Sequence, residues 1–156
     1  MGEKGGMGMK RRIWLGLLAL VLVPLLWLSM RPDRETRVFR QFVSDRAEME
    51  TIALRVLEQG NTDGVVPPDG WRGVDLHTSG ITTVEFEKGS FGFGSGTSYW
   101  GVNYVPSDSN MVGFQGQQWD YWKAKGEGRL YYDPEGDNTC YVRKLAPCWY
   151  YYEMKF

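Results

Sequence analysis

Residues 13–30 read IWLGLLALVLVPLLWLSM, eighteen positions with no charge and a single hydroxyl, Ser29. A helix rises about 1.5 Å per residue, so this run alone extends roughly 27 Å. That is close to the ~30 Å hydrocarbon core of a bilayer. Lys10, Arg11 and Arg12 precede the run and Arg31 follows it. Side chains of this kind snorkel to the interface and close the remaining gap. Anything else this chain builds must come from the 126 residues that follow.

A basic stretch, an apolar run and a polar continuation also describe a secretory signal. A cleaved signal needs small residues at the cut. Here the run exits through Trp27, Leu28, Ser29, Met30, Arg31 and Pro32, with no small-x-small pair. The run is also longer than a usual signal core, so an uncleaved signal-anchor is expected. Pro24 is tolerated in such a helix. A buried helix of a soluble domain would need a partner surface on every side, which a chain this short hardly supplies. Gly2 is no myristoylation signal, because Gly6 stands where Ser or Thr is required.

The positive-inside count nearly ties. Residues 1–12 carry four Lys/Arg against Glu3, and Arg31, Arg34, Arg37 and Arg40 follow the run. The basic cluster abutting the first apolar segment favours the N-terminus inside and the remainder outside. Residues 1–60 carry 10 basic and 7 acidic side chains, a net +3, and residues 61–156 carry 8 and 12, a net −4. Phosphodiester backbones call for a basic surface, so with this acidic balance no nucleic-acid partner is expected.

After Pro32 and Asp33 the spacing turns helical as far as Gln59, with Asp33 placed to cap the start and Gly60 to end the helix. Val38, Phe42, Met49, Ile52 and Val56 form a stripe, widened by Phe39, Val43, Ala53 and Leu57 and interrupted by Asp45 and Arg46. A stripe this wide suits packing on a sheet, while the interruption leaves a membrane-proximal stalk as the alternative. Beyond the Pro67-Pro68-Asp69-Gly70 turn the period becomes two. Strands are predicted around residues 82–87, 100–104, 118–125, 129–133, 139–143 and 148–156. In the last one, Cys148, Tyr150, Tyr152, Met154 and Phe156 read as the core face, and Trp149, Tyr151, Glu153 and Lys155 as the wetter face. The expected fold is therefore α+β: one transmembrane helix, then an amphipathic helix packed on a small antiparallel β-sheet. Its segments are a cytoplasmic tail 1–12, an anchor 13–30, a membrane-proximal helix 31–60 and an aromatic-rich β domain 61–156.

Few residues suggest chemistry. His77 is the one histidine and sits in a turn-like Leu-His-Thr-Ser-Gly stretch. With two cysteines it does not make a zinc set, so neither metal nor cofactor is assigned. Residues 92–98, GFGSGTS, match no phosphate-loop pattern and read as a turn between strands. Residues 133–138, DPEGDN, lack the spacing of a calcium loop. Glu85 and Glu87 share a strand face about 7 Å apart, and paired carboxylates can hydrolyse glycosides, although a solvated strand face is the plainer reading. Trp71 and the tyrosines, and above all Trp100, Trp119, Trp122 and Trp149, are the candidates for an aromatic ligand-binding surface, set against the sheet's own need for a core. Cys140 and Cys148 would face each other across a hairpin turning near Lys144. A disulfide is expected there if the domain lies outside, and buried thiols otherwise.

Two segments carry a likeness. Residues 94–104, GSGTSYWGVNY, resemble a GSGxSYYGFYYS segment, and residues 149–156, WYYYEMKF, resemble a WYYYExxF terminus. Both are similar to small, uncharacterised single-pass membrane proteins of Gram-positive, Firmicutes-like bacteria. The likeness covers about the last 75 residues. It implies the architecture above and no activity. The cysteines are not part of that pattern, and Gram-positive envelopes use disulfides sparingly, which lowers the weight of the expected bridge.

The functional expectation is a membrane-anchored, extracytoplasmic binding module, with the bilayer and an envelope protein or glycan as partners. The alternatives are an envelope hydrolase using carboxylates such as Glu85 and Glu87, and an accessory subunit of a larger membrane complex.

Overall fold

The computed structural model describes residues 32–109 and 120–156. The predicted anchor and tail lie outside these residues, as does Trp119. Among the described residues no helix is long and apolar enough to cross a membrane.

Helix α1 spans Arg34–Gln59. It stops at Gly60, which takes φ +69°, a left-handed value that costs glycine nothing, and whose N–H donates to the Val56 carbonyl. Val38, Phe42, Met49, Ala53 and Val56 are its buried residues. Phe39 and Val43, the outer edge of the expected stripe, stay exposed. The helix is thus a core element rather than a stalk. Asp45, which seemed to break the stripe, accepts a 2.8 Å hydrogen bond from Trp71 Nε1 and fastens the loop after the helix.

Seven strands follow: β1 (Gly73–His77), β2 (Thr83–Phe91), β3 (Ser98–Tyr104), β4 (Trp122–Lys125), β5 (Gly128–Tyr132), β6 (Thr139–Ala146) and β7 (Trp149–Lys155). They form one antiparallel sheet in the order β1-β2-β3-β7-β6-β5-β4. Two meanders are therefore joined where the last strand inserts between β3 and β6. Six of the strands were predicted. β1 was not, and the stretch read as turn-like around His77 is its end.

The register sorts side chains onto two faces. Val84, Phe86, Trp100, Val102, Tyr104, Trp149 and Tyr151 share the helix-facing side. With the buried residues of α1, most of them build one core cluster. On the other side Val105, Tyr131, Cys140, Val142, Tyr150, Tyr152 and Met154 build a second. Both faces of β7 are consequently buried. This corrects the expectation for Trp149 and Tyr151, which lie beneath the helix and not on a wet face. Phe156, expected in the core, is partly exposed.

The two cysteines are free. The β6–β7 hairpin turns at residues 147–148, not near Lys144, and Cys148 is itself a turn residue with φ +65°. Cys140 stands opposite Met154, while Ala146 pairs with Trp149. Six strand residues, roughly 20 Å, separate Cys140 from the turn. A disulfide needs its Cα atoms within about 7 Å, so the expected bridge is not made.

Candidate functional site

On the sheet face away from the helix, register brings Trp122, Tyr131 and Cys140 into one cross-strand row and Ala124, Arg129 and Val142 into the next. Lys144 and Tyr150 form a third pair. The tight β4–β5 turn at Gly126, φ +56°, closes one end. All of these except Cys140 line a cavity of about 340 Å³. Trp122 is 48% exposed at its edge. The Arg129 guanidinium lies over the Trp122 ring, 4.4 Å from its centroid, a cation–π contact. Tyr131 is wholly buried at the floor, and its hydroxyl has no hydrogen-bond partner.

The walls of this cavity are fastened from outside. Asp108 accepts hydrogen bonds from Lys144 Nζ at 2.8 Å, the Cys148 amide at 2.7 Å and the Tyr150 hydroxyl at 3.2 Å. Lys144 first, and then the Cys148 amide, hold the Asp108 carboxyl below its ordinary range. Glu127, in the turn, pairs with Arg143 at 2.5 Å, and Arg143 also reaches Glu35 of the helix at 2.6 Å. Among the cations of the cavity, Lys144 is spoken for, while Arg129 has no acidic partner among the described residues.

The same sheet face carries a buried polar chain at its other end. Glu85 is 5% exposed. It accepts a 2.6 Å hydrogen bond from the Tyr152 hydroxyl on one oxygen, and its other oxygen lies 3.1 Å from His77 Nε2. The hydrogen bond to Glu85 raises the His77 pKa. Burial opposes the rise, and the charges of Glu85 and Asp75 support it. Burial pushes the Tyr152 phenol and the Cys140 thiol up, so both are neutral at physiological pH. Glu87, the other member of the expected carboxylate pair, is occupied by Arg72 at 3.4 Å.

The aromatic candidates therefore separate. Trp122 lines the cavity. Trp149 is 1% exposed at the centre of the helix-side core and is unavailable to a ligand. Trp100 lies on the helix side, with the Arg34 guanidinium 3.8 Å from its ring centroid. The sequence offers Tyr131 and Tyr150 only among the tyrosines as a class, and Arg129 and Lys144 not at all. Their convergence depends on strand register, and the one local signal was alternation around Arg129 and Tyr131. Among the described residues no three His, Cys, Asp or Glu side chains gather as a metal site requires. The GFGSGTS stretch is a turn containing a short 3-10 segment, Gly94–Gly96, and the DPEGDN stretch is the β5–β6 turn, where the Glu135 amide bonds Asp133 Oδ1. Compared with protein-family models, curated proteins and solved structures, the chain matches none.

Proposed function

We propose that this chain is a membrane-anchored binding module, held by residues 13–30 with its folded unit outside, and that the cavity of Trp122 and Arg129 takes a saccharide segment of an envelope glycan bearing a carboxylate. The observation that carries this reading is the juxtaposition, in about 340 Å³, of an accessible indole and a guanidinium with no acidic partner among the described residues, over a floor of two buried tyrosines. Ligand pockets combine apolar and aromatic walls with a few convergent polar groups in this way. A sugar ring packs its C–H face on an aromatic plane, and a planar carboxylate matches the fork of Arg.

The hydrolase alternative fares worse on geometry. A catalytic acid must reach the glycosidic oxygen. Both Glu85 oxygens are engaged and the residue is buried, so it meets no substrate without the sheet face opening.

Titration of residues 32–156 with soluble envelope glycan fragments, followed by NMR, tests the module. Shifts confined to β4–β6 are expected. Arg129→Ala and Trp122→Ala should each weaken binding about tenfold, the scale of one cation–π or aromatic contact. Binding that is absent, or unchanged in both variants, would overturn the assignment.

A further inference from the structure

A second cavity, about 320 Å³, lies on the helix side between the start of α1 and the β2–β3 pair, lined by Arg34, Arg37, Val38, Gln41, Lys88 and Trp100. Three of its six lining residues are cations and none is an acid, although residues 34–156 carry a net −4. Its construction is specific. The β2–β3 register shifts between Glu87, opposite Gly101, and Gly89, opposite Trp100, so Lys88 is the extra residue of a β-bulge. Bulges re-aim a side chain out of the ladder, and this one brings Lys88 to the helix. At Gly89 a Cβ would stand 2.8 Å from the Trp100 ring, so the missing side chain lets the indole lie close on the strand.

The cations are incompletely neutralised. Lys88 donates to the Gly70 carbonyl and lies 5.2 Å from the Trp71 ring centroid, with no carboxylate at ion-pair distance among the described residues. Its burial disfavours the ammonium and lowers its pKa, while the more distant Asp45 and Asp69 oppose that only in part. Arg37 is exposed, and among the described residues it has no ion-pair or hydrogen-bond partner. Arg34 spends one N–H on Glu153 at 3.0 Å and stacks on Trp100, leaving most of its five donors. A half-buried ammonium beside two guanidinium groups is a site short of an anion.

We propose that this pocket binds the phosphate of an anionic membrane lipid. The choice of lipid over free phosphate rests on the anchor reading above. Only residues 31–33 separate the apolar run from Arg34, and four steps of even fully extended chain reach no more than about 14 Å. An anchor ending at Met30 thus keeps Arg34 and Arg37 near the headgroup layer. There each Lys or Arg gains from anionic lipid, and Trp100 suits the interfacial zone.

Residues 34–156 form a unit that contains both core clusters, so the fragment 32–156 is expected to fold alone and serves as the probe. It is sedimented with vesicles of phosphatidylcholine, with or without phosphatidylglycerol. Binding is expected only to the anionic vesicles, and should weaken as salt screens the charges. Arg37→Gln with Lys88→Gln should lower the apparent affinity about tenfold or more. Arg46→Gln with Arg55→Gln removes the same charge from exposed positions on α1 and should change it little. Circular dichroism checks that both variants are folded. No binding to anionic vesicles, or equal losses in the two double variants, would overturn the proposal. Full competition by soluble glycerol phosphate would overturn the lipid as the source. The anchor itself does not enter this measurement, so its failure would show separately in membrane fractionation.

Discussion

Trp149 meets Phe42 of the helix, Phe86 of β2 and Tyr104 of β3, with ring centroids 5.2, 5.8 and 4.9 Å away. One side chain therefore closes the helix onto the sheet. Trp149→Ala leaves a large cavity whose lining comes from three elements that cannot all collapse into it. The expected loss is about 3–5 kcal/mol, against a total of roughly 5–15 for a domain of this size. Urea unfolding should show a midpoint lowered by about a fifth or more with the slope retained, and an unchanged midpoint would refute the placement. The sequence places four aromatics in succession at 149–152, and a strand buried on both faces shows no alternation. The wet face assigned to Trp149 follows from expecting one-sided burial. Cys148 is a similar case. Its φ of +65° usually goes to glycine or asparagine, and nothing in the residue type announces it. The shift of the turn from Lys144 to residues 147–148 removes the expected cysteine pairing.

Among the elements, the helix was the most legible, because its 3.6-residue period persists over 26 residues and ends at a glycine. β1 was the least legible. It is five residues long, lies at the sheet edge and offers only Val74 and Leu76 as apolar positions. Its last residue, His77, is held by Glu85 of the neighbouring strand, so the edge is fastened by a titratable contact. The His77 pKa is raised in the folded state above its ordinary 6.5, chiefly by that hydrogen bond. The protonated ring thus contributes stability that is fully present below about 6.5 and is lost as pH rises through the folded value. The melting temperature should fall between mildly acidic and mildly alkaline buffer, and His77→Gln should flatten that fall. A variant with the wild-type slope would show that other groups set the pH dependence. The candidate site was legible in Trp122 and, only as a class, in its tyrosines. Arg129, Tyr131, Lys144 and Tyr150 come from three strands, and no periodicity within one strand reveals which of its neighbours it will pair with.

At the scale of the molecule, the 18-residue apolar run and the folded unit call for different solvents. The run has no polar face with which to meet water. The unit Arg34–Phe156 has one core on each side of a seven-stranded sheet, and no described helix in it is long and apolar enough to cross a bilayer. The two parts should therefore part company when the chain is cut between them. Full-length protein is expected to stay in the pellet after an alkaline carbonate wash, because the wash disrupts peripheral electrostatic contacts and leaves an inserted helix of about 27 Å in place. Fragment 32–156 should be released by the same wash, even if its basic pocket holds anionic lipid, since that attachment is electrostatic and reversible. It should then unfold in a single cooperative transition. Full-length protein in the supernatant would refute the anchor, as would a mature N-terminus beyond Met30. A fragment retained in the pellet would show that the folded unit holds the membrane by more than charge.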